Sequence, residues 1–262
     1  MRQTERNAPS DRVGMTAPSP LPAAKPRLLK EMIPSEVAAA QAADPRLIIP
    51  VGTCEQHGPH LPMSCDTIIV DRLADDLSAE FCVIRAPTIE YGVNSTTERV
   101  FPGNGSVRKK TLHRMLNDLL DSWESCGFEE FILLTAHGHD PHQEALATVI
   151  TKRARVRVVD LFAVNLTDLL EGQSEPMHGD EADTSLMLYI APHLVRMELA
   201  EDYMVSREAL RRYRRGWLRV PKGSSGSIGR PSLASAAKGR AIYERIRDRI
   251  SDRIFRAPPA DE

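Results

Sequence analysis

Three short stretches of this chain concentrate the side chains that bind cations and move protons. Residues 55–66 carry Glu55, His57, His60 and Asp66 in a loop broken by Gly58, Pro59 and Pro62. Residues 137–142 carry His137, His139, Asp140 and His142, and residues 178–183 carry His178, Asp180, Glu181 and Asp183. Six of the 8 histidines fall in these clusters, a concentration that scattered surface histidines do not explain. Carboxylate and imidazole together suit a divalent zinc, manganese or iron ion. Each residue also has an ordinary reading. Asp66 and Asp183 stand where helix N-caps belong, and His60 and His142 read as exposed loop residues. Cys54 and Cys65 match no common zinc–cysteine spacing and read as small buried side chains.

Such side chains need rigid elements to aim them. The apolar run at residues 47–51 reads as a strand leading into the first cluster. From Asp66 onward, Ile69, Leu73, Ala74 and Leu77 fall on one stripe, the pattern of an amphipathic helix. Residues 82–86 read as a second strand, and residues 87–108 as a long loop rich in turn residues. Loops this long in a compact domain are often functional. Residues 111–126 predict a helix with Leu112, Leu116, Leu120 and Trp123 on its apolar face and Gly127 past its end. A buried strand at 131–135 runs into the second cluster. A helix at 143–153, a strand at 155–161 and a helix at 183–191 follow. An Ala-rich helix is expected at 34–43. A charged helix at 233–254 is expected on the surface.

Alternating strands and helices predict an α/β fold with a parallel or mostly parallel sheet and helices on both faces. Ligands bind in such folds where strands end and helices begin. The first two clusters each follow a predicted strand, so they should converge on one edge.

The 262 residues fit one α/β domain, here 27–262, after a Pro- and Ser-rich N-terminal tail, 1–26, that reads as disordered. The 34 basic and 36 acidic residues nearly cancel, which argues against nucleic-acid or membrane-surface binding. Arg211, Arg212, Arg214 and Arg215 therefore read as a solvated face or subunit contact. Four cysteines in a chain of this length make no disulfide framework. No apolar run approaches the ~20 residues of a membrane span, and a cytoplasmic enzyme acting on a small molecule is expected.

The clusters also carry a resemblance. Glu55-Gln-His-Gly-Pro-His-Leu-Pro62, followed by Asp66-Thr67, resembles the signature of the creatininase (creatinine amidohydrolase) family. Leu133 to Asp140 looks like that family's second motif, His178 to Ser185 like its third, and Gly229-Arg-Pro with Lys238-Gly239 like its C-terminal pattern. The resemblance implies a three-layer α/β/α sandwich with two divalent metal ions (zinc, manganese or iron), usually in a homo-oligomer. By position, Glu55, His57, Asp66 and His137 match family ligands, with Asp66 bridging. The fifth ligand is open between His139 and Asp183. His178 matches the family's catalytic histidine, and Glu181 or Asp180 could orient it.

The implied chemistry is attack of metal-activated water on the carbonyl of a small cyclic or formylated amide. His178 would give a proton to the leaving nitrogen. Carbon–carbon cleavage of a cyclic keto-inositol and a non-catalytic metal-binding role are the alternatives. Glu98-Arg99 stand where the family commonly has a histidine. Arg99 could hold a substrate oxygen, and neither Trp123 nor Trp217 stands at the expected place of an aromatic clamp.

Overall fold

The structure is a computed structural model that describes residues 25–95, 101–215 and 224–256. Arg99, Trp217 and most of the N-terminal tail lie outside those residues. Five strands build one sheet: β1 (Arg27–Leu28), β2 (Arg46–Pro50), β3 (Ile84–Arg85), β4 (Glu130–Thr135) and β5 (Arg155–Asp160). Their order is β1-β3-β2-β4-β5, and every pairing among the described residues is parallel. Parallel neighbours require crossovers, which α1 (Pro34–Ala43), α2 (Cys65–Phe81), α3 (Lys109–Ser125) and α4 (Asp140–Ala147) supply between successive strands; α5 (Glu181–Ile190), α6 (Arg207–Arg214) and α7 (Ala236–Ile250) follow β5.

The strands are apolar on both sides, so the sheet must be covered twice. Ile48, Ile132 and Leu134 pack against α2, α5 and α7. Their neighbours Leu47, Ile49, Phe131 and Leu133 point the other way, against α1, α3 and α4. This is the expected three-layer α/β/α sandwich. Each fully buried Leu, Ile or Phe contributes roughly 1.5–3 kcal/mol. None of the described helices is long and apolar enough to cross a membrane.

Several element ends differ from expectation, and each difference moves a site residue. The helix after β4 runs over Asp140–Ala147, not 143–153, with His139 as its N-cap residue. Pro141 suits the first turn because it has no N–H to leave unpaired. His142 therefore sits inside a helix and is buried. The helix carrying Asp183 starts at Glu181, and Asp180 is its cap: Asp180 Oδ1 accepts from Ala182 N at 2.8 Å and Asp183 N at 3.0 Å. Asp183 is thereby not a cap, and neither is Asp66, which lies in the first turn of α2 after Ser64.

The last helix is core rather than surface, with Ile242, Tyr243, Ile246 and Ile250 buried. It ends in a π-helical turn, Ser251–Arg256. α7 crosses α5 at Gly239, where a Cβ would stand only 1.8 Å from the Ser185 carbonyl oxygen.

Candidate metal centre

The ends of β2 and β4 deliver two clusters to one place, and α5 brings the third. Glu55, His57, Asp66, His137, His178 and Asp183 are all buried yet line one cavity of about 300 Å³. Asp66 is at its centre. Its Oδ1 lies 3.1 Å from His57 Nε2, and its Oδ2 lies 3.1 Å from His137 Nδ1. Glu55 Oε2 faces His137 Nδ1 at 3.2 Å. Thr53 Oγ1 donates to Asp66 Oδ2 at 2.7 Å and fixes the carboxylate's rotation. Potential ligand atoms of Glu55, Asp66 and His137 lie within 4.8 Å of one another, and so do those of Glu55, His57 and His178.

The two central imidazoles are held the way ligand imidazoles are held. His57 Nδ1 lies 3.2 Å from the Glu55 carbonyl oxygen, and His137 Nε2 lies 3.1 Å from that of Val93. A carbonyl can only accept, so each ring donates there and keeps its other nitrogen for the centre. Such outer partners fix tautomer and ring direction in metal sites. The donor set therefore fits divalent cations.

The electrostatics agree. Burial opposes charge on His57, but Asp66, Asp183 and Glu55 overcome it and raise the ring from 6.5 to about 10. Burial likewise opposes charge on His137, and Glu55 and Asp66 raise it to about 9. Burial pushes against ionisation of Asp66, yet His57 and His137 hold it well below its ordinary value. Asp183 is raised to about 8, first by burial and then by Asp180. The ion-free centre thus carries protons in place of cations.

That state makes a prediction. Loading zinc at pH 7 should release about two protons per chain from His57 and His137, and a third where Asp183 also binds, since ligand imidazoles must be neutral and ligand carboxylates ionised. Calorimetry in buffers of different ionisation enthalpy measures it, and release near zero would contradict the assignment. The raised histidines stabilise the ion-free chain fully below 6.5, and that contribution is lost as pH rises through about 9 and 10. The ion-free melting temperature should therefore fall across this window.

The remaining cluster residues divide. His139 and Asp183 both line the cavity, although neither belongs to the two tight ligand groups. The His139 ring centroid is 5.9 Å from that of His137. Asp183 Oδ2 accepts from Gly179 N at 2.8 Å. His60 and His142 are buried, against expectation. His60 Nε2 lies 2.8 Å from Thr184 Oγ1. His142 Nδ1 accepts from Val93 N at 3.2 Å, and its Nε2 lies 3.1 Å from Thr135 Oγ1, so it braces the His137 loop.

Glu181 does not orient His178. Its carboxylate accepts from Glu171 N at 2.9 Å and Gly172 N at 2.8 Å, and it pairs with the Lys238 ammonium. Asp180 is committed to capping α5 and to Met177 N at 2.6 Å. The group beside His178 is Gln56, which the motif contains but which offers no ligand or proton chemistry that would single it out. Burial, then the positive His57, hold His178 well below its ordinary value. Of the cysteines, Cys65 is core and Cys54 is partly exposed.

Among known proteins, the family profile for creatininase (creatinine amidohydrolase) matches residues 30–254. The chain belongs to the creatininase family. It is a hydrolase, and the creatininase fold is shared over most of its length. A solved creatinine amidohydrolase superposes with a TM-score of 0.73 at 23% identity, covering 90% of this chain and 99% of that one. A creatininase described as a manganese form also gives 0.73, at 22% identity over 88% of this chain and 100% of that one. The mycofactocin precursor peptide peptidase of Mycolicibacterium smegmatis is 28% identical over 227 residues, 82% of this chain and 86% of its own. The 3-dehydro-scyllo-inosose hydrolase of Thermotoga maritima is 28% identical over 169 residues, 60% of this chain and 53% of its own.

Proposed function

We propose that this creatininase-family hydrolase holds two divalent cations on Glu55, His57, Asp66 and His137 and cleaves a carbon–nitrogen bond of a small amide. The observation that carries the reading is Asp66, whose two oxygens face two different imidazoles at 3.1 Å each. A carboxylate placed in this way would be shared between two ions. Bound there, the pair would polarise a carbonyl and lower the pKa of water toward ~7.

The chain's own groups do the rest. Thr53 holds the bridging carboxylate in one rotamer. Glu55 and the two imidazoles supply the surrounding donors. Asp183 and His139 both line the cavity and are the candidates for a fifth ligand, and Asp183 lies within electrostatic reach of His57 and Asp66. His178 lines the cavity and would offer an N–H to the atom on which charge develops. A preorganised donor of this kind in a dry site is worth about 2.7–4 kcal/mol in the barrier.

A peptide amide is the first substrate to test. The peptidase relative aligns over 82% of this chain, against 60% for the inosose hydrolase. Zinc- or manganese-loaded chain would be offered short peptides, formylated and cyclic amides, and a cyclic keto-inositol, with and without chelator. Chelator-sensitive appearance of a new amine is expected. Turnover of the keto-inositol alone would move the activity to carbon–carbon cleavage. Stoichiometric metal with no turnover of any of them would leave a metal-binding protein on this fold.

A further inference from the structure

Gln56 stands between two proposed ligands and belongs to neither ligand group, yet its side chain is fixed at both ends. Its Oε1 accepts from Gly58 N at 2.7 Å. Its Nε2 donates to the Gly226 carbonyl at 3.1 Å and stands 3.1 Å from His178 Nε2. The two main-chain partners decide which way the amide points, because an N–H only donates and a carbonyl only accepts. The nitrogen therefore faces His178, and an amide nitrogen cannot accept. His178 Nε2 must be the acceptor, and in the neutral ring the proton lies on Nδ1.

This is the reverse of His57 and His137. Each of those gives an N–H to a carbonyl and keeps a lone pair for the centre. His178 gives its Nε2 lone pair to Gln56 instead. Distance alone groups it with Glu55 and His57 as a third ligand, but neither of its nitrogens is then free to bind a cation.

We infer that Gln56 is a positioning residue that locks His178 in the Nδ1–H tautomer, keeping it out of the metal shell and making it a hydrogen-bond donor. The catalytic consequence rests on the hydrolase reading; the tautomer itself does not. Gly226 secures the lock from the other side. Its φ is +120°, and a Cβ there would stand 2.0 Å from Gln56 Oε1, so any side chain would push the amide away.

The test is long-range proton–nitrogen NMR of the full-length, zinc-loaded chain with 15N-labelled histidine. His178 is assigned by its loss in His178→Gln. The parent should show a protonated Nδ1 and a bare Nε2. Gln56→Glu replaces the donor by an acceptor and should move the proton to Nε2, with kcat falling about 10- to 100-fold, as for other outer-shell partners, and KM nearly unchanged. Gly226→Ala should lose the parent signature with Gln56 still present.

A parent ring protonated on Nε2, a zinc-bound His178 nitrogen, or a tautomer unmoved in both variants would overturn the inference. An Nδ1–H parent ring that moves in the variants, in a chain that hydrolyses nothing, would support the lock and remove the hydrolase reading.

Discussion

Asp66→Ala is expected to empty the metal centre. Both oxygens of this carboxylate face an imidazole, and one also receives the Thr53 hydroxyl. Losing an outer-shell partner typically costs 10- to 100-fold in metal affinity. Losing the bridge should cost about 100-fold or more, and turnover should fall to background. The ion-free chain should suffer too. His57 and His137 owe much of their raised pKa to Asp66. Breaking a buried pair from one side costs about 3–5 kcal/mol, offset in part here by Glu55. Metal analysis after gel filtration and an ion-free melting curve check both parts. A variant that keeps its metal would show that Asp66 is a structural acid.

Glu181→Ala should do the opposite, costing stability while sparing the centre. Glu181 is fully buried, and its carboxylate satisfies two main-chain N–H groups and the Lys238 ammonium, itself only 11% exposed. Its removal orphans the two main-chain N–H groups, while Lys238 keeps Glu171 and the Leu233 carbonyl, an expected loss of about 1–3 kcal/mol. Metal content and kcat per folded chain should stay near the parent values. Denaturant unfolding beside a turnover assay separates the two effects. Unchanged stability with lost turnover would return Glu181 to the catalytic role that its position beside His178 in the sequence suggests.

The centre was largely legible because metal chemistry restricts residue types and the parallel fold restricts where they gather. Glu55, His57, Asp66, His137 and His178 follow from spacing, strand ends and motif. The misreadings share one cause: partners far away in the chain. His60 and His142 read as exposed because their partners, Thr184 and the Val93 N–H, lie 124 and 49 residues away. Glu181 read as catalytic because nothing in the local sequence announces Lys238, 57 residues on. Nothing in the sequence marks Gln56, because an amide neither titrates nor binds metal well, and its worth lies in what it denies His178.

The fold shows the same limits. Long apolar strands β2 and β4 were readable by composition. β3 lies inside the strand expected at 82–86 but keeps only two residues, and β1, also two residues, is too short to display a period. The start of α5 was placed two residues late because Asp180 and Asp183 are both good caps, and only the hydrogen bonds from Ala182 N and Asp183 N choose between them.

The central claim is that Asp66 joins two cations. Electron paramagnetic resonance of the manganese-loaded chain tests it most directly, beside a metal count. The account predicts about two ions per chain with the spectrum of an exchange-coupled pair, as a shared carboxylate requires. A single ion per chain, or two giving only the spectrum of isolated manganese, would contradict it.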